Sequence, residues 1–117
     1  MNQAPIDELI FKDLKEMVGE DFIGELIDTF LEDAPKLIQD LQHSLAKRDI
    51  ETFRRSAHSL KSNSATFGAK NLSEQAKELE MLAREQRLDA VGEKITVLQK
   101  EYAGVEEGLK RLRHEFC

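Results

Sequence analysis

The sequence predicts an all-α protein, an antiparallel up-down-up-down four-helix bundle with a short additional N-terminal helix. Apolar residues recur at steps of three and four along most of the 117 residues, and no segment alternates in the way a strand does. A charged fraction of 34%, an aromatic fraction of 6% and only two prolines are also typical of a helical bundle. We expect a single domain over residues 1–117, with the short helix at about 7–17 and the bundle at about 20–116.

The first two helices follow from their apolar spacing. Gly19 separates a short helix over about 7–17 from a long helix over about 21–47. The apolar positions of the short helix are Ile6, Leu9, Phe11, Leu14 and Met17. Those of the long helix are Phe22, Leu26, Phe30, Ala34, Leu37, Ile38, Leu41 and Leu45. Pro35 lies inside the long helix, and its missing N–H predicts a kink or a break there.

The other three helices are predicted from the residues at their ends. The third should run from residue 49 or 50 to residue 66, and Gly68 then stops it. Asn71 and Glu74 match a capping box, which predicts the start of the fourth helix. Asp89 is the expected N-cap of the last helix. The apolar seam of that helix is Val91, Ile95, Leu98, Tyr102, Val105, Leu109, Leu112 and Phe116.

The charge and the cysteine count narrow the function classes. With 17 Lys and Arg against 23 Asp and Glu, the net charge of −6 argues against nucleic acid and anionic membrane as partners. No apolar run approaches the roughly 20 residues that span a bilayer, and no signal peptide is apparent. Cys117 is the only cysteine, so no internal disulfide can form. We therefore expect a cytoplasmic location.

Residues 58–69 form the segment that carries chemistry. If the core stripe of the third helix centres on Ala57 and Ser64, His58 lies about 110° away on the solvent side. Ser62 and Ala65 are its neighbours along the helix, and their small side chains leave the ring accessible to another protein.

Cations surround this histidine in the sequence. Arg54, Arg55 and Lys61 lie within one turn of His58 and would favour an anion on or near the ring. A neutral imidazole is a competent nucleophile. The chain has no P-loop and no glycine-rich nucleotide loop, so it cannot supply its own phosphate from ATP. The pattern predicts a group acceptor that works with partner proteins.

The segment resembles the motif of the histidine-containing phosphotransfer (HPt) domains of multistep two-component phosphorelays. The matching positions are His58, Leu60, Lys61, Ser64, Phe67, Gly68 and Ala69. The helix pattern extends the resemblance over about residues 20–115.

The resemblance implies a role for four side chains. His58 would accept a phosphoryl group on Nε2 from the aspartyl phosphate of one receiver domain and pass it to the aspartate of another. Lys61 would help to neutralise that group. Ser62 stands where the family usually has glycine, which lets the receiver approach. By register, Glu80 on the fourth helix would accept a hydrogen bond from Nδ1–H and orient the ring.

The resemblance also implies the partners. These are response-regulator receiver domains and a hybrid sensor histidine kinase. The chain would have no ATP site, no kinase activity and no cofactor of its own, with Mg²⁺ expected on the receiver domain. We expect it to be a monomer.

Two other hypotheses remain open at this stage. A helical scaffold or adaptor would bind its partners without using His58, and the apolar seam of the last helix could then mediate dimerisation. A metal-dependent enzyme would need a second cluster of ligands, which the sequence does not offer. His43 and His114 lack comparable neighbours, and we interpret them as surface residues.

Overall fold

The computed structural model describes residues 4–116 as five α-helices and one 3₁₀ turn, without a strand among them. The helices are α1 (Glu8–Val18), α2 (Glu20–Lys47), α3 (Ile50–Thr66), α4 (Lys70–Arg84) and α5 (Lys94–Phe116), and the 3₁₀ turn is Leu88–Ala90. Residues 1–3 and Cys117, which the single-domain prediction includes, lie outside the described residues.

Helices α2 to α5 form an antiparallel up-down-up-down bundle, so the predicted fold class is confirmed. Helix α3 packs against α2 and most extensively against α4, and α5 closes the bundle against α2 and α4. Helix α1 lies against α2 and α3. One continuous core of apolar side chains receives residues from every helix. The buried seam from Val91 to Leu112 is confirmed, whereas Phe116 at its end is 39% exposed.

The turn between α3 and α4 sets how these two helices lie relative to each other. Gly68 has a φ of +79°, which a glycine adopts at little cost, and the predicted helix stop is confirmed. The Ala69 N–H donates to the carbonyl of Ser64 at 3.0 Å, closing the end of α3. The carbonyl of Gly68 in turn accepts from the Asp7 N–H at 2.8 Å, which attaches the start of α1 to this turn.

Two of the predicted helix caps are wrong. Helix α4 begins at Lys70 with Ala69 at the N-cap, so Asn71 lies inside the helix and caps nothing. Ala69, which follows the turn at Gly68, is completely buried and occupies the N-cap position without a side-chain cap. Asp89 lies in the 3₁₀ turn, and α5 begins only at Lys94, after a positive φ at Gly92.

The expectation for three apolar residues needs correction, and that for Pro35 in part. Helix α2 runs through Pro35 without a break, and residues on either side of it, such as Ala34 and Ile38, are buried in one core. The alternative of a kink at Pro35 stays a prediction. Leu9, Met17 and Phe22 are exposed to 75%, 79% and 49% instead of packing inward, so among residues 4–116 nothing covers these faces fully.

Candidate functional site

His58 lies in the middle of α3 with 52% of its side chain exposed. Ser62, one turn later, and Ala65 are exposed beside it, as the helical register predicts. The imidazole is therefore open to solvent on one side, in the middle of a helix whose opposite face is buried in the core. His43 and His114 are also exposed.

The other side of the ring contacts a buried carboxylate on α4. Nδ1 of His58 lies 2.7 Å from Oε2 of Glu80, whose side chain is only 3% exposed. Nζ of Lys61 donates to Oε1 of the same carboxylate at 2.7 Å. The structure thus brings together three of the four predicted residues, and Ser62 lies on the open side of His58.

Arg84 is a fourth member of this cluster that the sequence reasoning missed. Its guanidinium Nη2 donates to Oε2 of Glu80 at 3.3 Å, on the oxygen that contacts His58. Arg84 lies one turn after Glu80, and this i,i+4 spacing of opposite charges is the signal that could have identified it.

Electrostatics fix the protonation of Glu80. Burial would raise the pKa of its carboxyl, but hydrogen bonds from Lys61 and His58, and then Arg84, lower that pKa to about 2. The side chain is therefore a carboxylate at neutral pH. A carboxylate only accepts hydrogen bonds, so Nδ1 of His58 must donate. In the neutral imidazole Nε2 then keeps its lone pair.

Packing between α3 and α4 explains how a charged side chain is held in this position. The helices meet through buried residues, several of them small: Ala57, Leu60, Ser64, Ala76, Leu79 and Ala83. The hydroxyl of Ser73 on α4 donates to the carbonyl of Lys61 on α3 at 2.9 Å. This contact ties α4 to α3 at Lys61, the residue whose ammonium group also donates to Glu80.

The two arginines before His58 contribute less to this cluster. Arg54 is paired with Glu51 on its own helix. Arg55 lines a groove between α2 and α3, together with Leu37 and Asp40. Of the three cations near His58 in the sequence, Lys61 is the one that contacts the same carboxylate as the imidazole.

The arrangement supplies an exposed nucleophile with a fixed tautomer and adjacent positive charge. Within residues 4–116, no group of three or more His, Cys, Asp or Glu side chains is placed to hold a metal ion. In the same part of the chain, no helix has both the length and the apolar character that crossing a bilayer requires.

Comparisons with known proteins agree on one family. The Hpt domain family matches residues 25–112. The phosphorelay protein LuxU of Vibrio harveyi is 27% identical over 92 residues, which cover 79% of this chain and 81% of that protein.

Two solved structures are similar in fold. The crystal structure of histidine-containing phosphotransfer protein B from Pseudomonas aeruginosa matches with a TM-score of 0.91 and 30% identity, covering 99% of this chain and 100% of the other. The HPT domain of a sensor hybrid histidine kinase from Shewanella matches with a TM-score of 0.78 at 18% identity, covering 96% of both chains.

Proposed function

Because the chain belongs to the Hpt domain family, we propose that it is a phosphorelay intermediate whose phosphoryl carrier is His58. It accepts the phosphoryl group from the aspartyl phosphate of one receiver domain and transfers it to the aspartate of another response-regulator receiver domain. The observation that carries this proposal is the contact between Nδ1 of His58 and buried Glu80, which leaves Nε2 as the exposed nucleophile.

The transfer needs little chemistry from this chain. The lone pair of Nε2 attacks the phosphorus, the P–N bond forms, and the bond from phosphorus to the aspartate oxygen breaks, releasing a carboxylate. Nδ1 keeps its proton, so the ring becomes a cation that the Glu80 carboxylate stabilises. The second transfer is the same step in reverse. Positioning and charge neutralisation therefore provide most of the catalysis.

We assign roles to the neighbouring side chains on the same basis. Lys61 has two ammonium N–H groups beyond the one given to Glu80, and with 28% of its side chain exposed it can turn them toward phosphoryl oxygens. Ser62 keeps the approach to His58 open because its side chain is small and exposed. Glu80 is a positioning residue, since it acts through His58.

The proposal extends to partners and cellular setting. The partners are receiver domains and a hybrid sensor histidine kinase, without nucleic acid or membrane. The chain acts as a single-domain, monomeric carrier in the cytoplasm and has no kinase activity of its own. We propose that it uses no cofactor and that the Mg²⁺ of the reaction is bound by the receiver domain.

The test is phosphotransfer from a phosphorylated receiver domain to purified protein. We expect His58→Gln to abolish labelling and to leave the helical circular dichroism unchanged, because the ring is half exposed and outside the core. His43→Gln is the matched control and should be labelled like the wild type. Labelling of His58→Gln at the wild-type rate would disprove the assignment.

A second variant tests the cation. We expect Lys61→Ala to slow transfer or to shorten the lifetime of the phosphohistidine, because it removes positive charge next to the acceptor. Unchanged kinetics in both directions of transfer would show that Lys61 has no role in the reaction.

A further inference from the structure

We propose that Ser62 is a specificity-determining residue of this site, whose hydroxyl hydrogen-bonds the docked receiver domain and so favours some receiver domains over others. This inference rests on the proposed function, because it requires His58 to exchange a phosphoryl group with receiver domains. It goes beyond the role given to Ser62 above, which depends only on the small size of its side chain. Here the hydroxyl itself is the feature that the partner recognises.

The position of Ser62 on α3 places its hydroxyl on the open flank of the imidazole. At about 100° per residue, Lys61 lies about 60° to one side of His58 and Ser62 about 40° to the other. Helix α4 lies on the Lys61 side, because the Lys61 ammonium and His58 Nδ1 both contact Glu80 there. Ser62 therefore lies on the flank that α4 does not cover, and its side chain is exposed.

The hydroxyl of Ser62 has no hydrogen-bond partner within the described part of the chain. Hydroxyls in a helix can donate to the carbonyl four residues earlier, and two side chains of this bundle do so. Ser44 donates to the Asp40 carbonyl at 2.6 Å, and Thr66 donates to the carbonyl of Ser62 itself at 3.1 Å. The Ser62 hydroxyl makes no such bond with the His58 carbonyl, so it is available to a partner protein.

Docking of a receiver domain removes this hydroxyl from water. In the transfer step an aspartate oxygen of the receiver must lie in line with the phosphorus on Nε2 of His58. Side chains four residues apart on a helix have their Cβ atoms about 6 Å apart, so a surface that meets the ring also covers Ser62. A covered hydroxyl without a partner destabilises the complex, whereas one that pairs with a receiver group does not. Receiver domains that offer a polar group opposite Ser62 are therefore preferred.

The experiment compares two receiver domains. The protein is loaded with phosphoramidate, a chemical donor that needs no partner, in a background where His43→Gln and His114→Gln leave His58 as the acceptor. It is then mixed with the fastest and with the slowest phosphoryl acceptor from a panel of purified receiver domains. We expect Ser62→Gly and Ser62→Ala each to narrow the ratio of the two transfer rates by about tenfold, because both remove the hydroxyl. Alanine favours the helix, so a folding defect of the glycine variant cannot explain a shared result.

Two further measurements separate contact with the receiver from other effects. Thr96→Ala removes an exposed hydroxyl from α5, which packs against α2 and α4, and this variant should keep the rate ratio of the parent. The lifetime of the phosphohistidine without any receiver domain should be the same in the parent and in Ser62→Ala, because the hydroxyl binds the partner and not the phosphoryl group.

Three results would overturn the inference. The first is a rate ratio in Ser62→Gly or Ser62→Ala equal to that of the parent, including the case in which both rates change by the same factor. The second is an equal narrowing of the ratio in Thr96→Ala. The third is a changed phosphohistidine lifetime in Ser62→Ala, which would assign the hydroxyl to the phosphoryl group. Failure of the proposed function looks different, because no receiver domain would then accept a phosphoryl group from the parent.

Discussion

Replacement of Glu80 by glutamine tests how much the buried negative charge of the site contributes to stability. The substitution keeps the size of the side chain and removes its charge. In the wild type this nearly inaccessible carboxylate accepts hydrogen bonds from Lys61, His58 and Arg84. Glutamine has a single acceptor oxygen, so it cannot replace all three contacts.

The pKa of Glu80 gives the size of the effect. A reduction from 4.5 in the unfolded chain to about 2 in the native state corresponds to about 3 kcal/mol of stability at neutral pH. Because the native pKa is the lower one, this contribution is complete above the unfolded pKa and is lost as the pH falls toward 2. It amounts to about 3 kcal/mol at about pH 6 and to roughly half of that at about pH 3.

The assay is urea unfolding followed by far-UV circular dichroism at both pH values. We expect Glu80→Gln to be less stable than the wild type by about 3 kcal/mol at the higher pH, and the difference to halve at the lower pH. Glu74→Gln replaces an exposed glutamate of α4 and should stay within about 0.5 kcal/mol of the wild type. A difference between wild type and Glu80→Gln that is the same at both pH values would refute the reasoning.

Three further substitutions test other parts of the fold by the same unfolding measurement. Gly68→Ala should lower the free energy of unfolding by about 2 kcal/mol or more, because a Cβ would lie 2.8 Å from the carbonyl oxygen of Asp7 at a φ of +79°. Wild-type stability of this variant would contradict the close contact between this turn and the start of α1. Ser64→Ala should raise the free energy of unfolding by about 1 kcal/mol, since the fully buried hydroxyl has no hydrogen-bond partner within the described residues. A loss of stability would indicate that the hydroxyl does have such a partner. Gln86→Gly should raise the free energy of unfolding by about 0.5 kcal/mol, because Gln86 is exposed at a φ of +57°, a conformation that glycine adopts at lower cost. A lower stability would mean that the glutamine side chain makes stabilising contacts.

Long apolar periodicity is the part of the fold that the sequence predicts well. The seam from Val91 to Leu112 is buried because a helix that packs against two neighbours needs an apolar residue at nearly every third or fourth position. Leu9 and Met17 show the limit of this reasoning. Their spacing is correct, but α1 packs on one face only, and the sequence does not reveal which apolar residues lack a partner.

Helix ends are predicted less well, since local capping competes with burial. Asn71 and Asp89 both have the chemistry of an N-cap, yet Ala69 and Lys94 mark the actual helix starts. In the site, the resemblance to HPt domains implies Glu80 as a neighbour of His58, and the two side chains are in contact in the structure. The nearly complete burial of Glu80 depends on how α3 and α4 approach each other, which one sequence does not specify.

The contact between His58 and Glu80 has a consequence for regiochemistry. An imidazole has two nitrogens that can carry a phosphoryl group, and the two phosphohistidine isomers differ in reactivity. In the folded chain a carboxylate 22 residues away occupies Nδ1, so under the proposed function we expect only the Nε2 isomer to form. A peptide that contained α3 alone would offer both nitrogens, and we expect it to yield a mixture. Tertiary structure would then select the isomer, although the histidine itself belongs to a short linear motif.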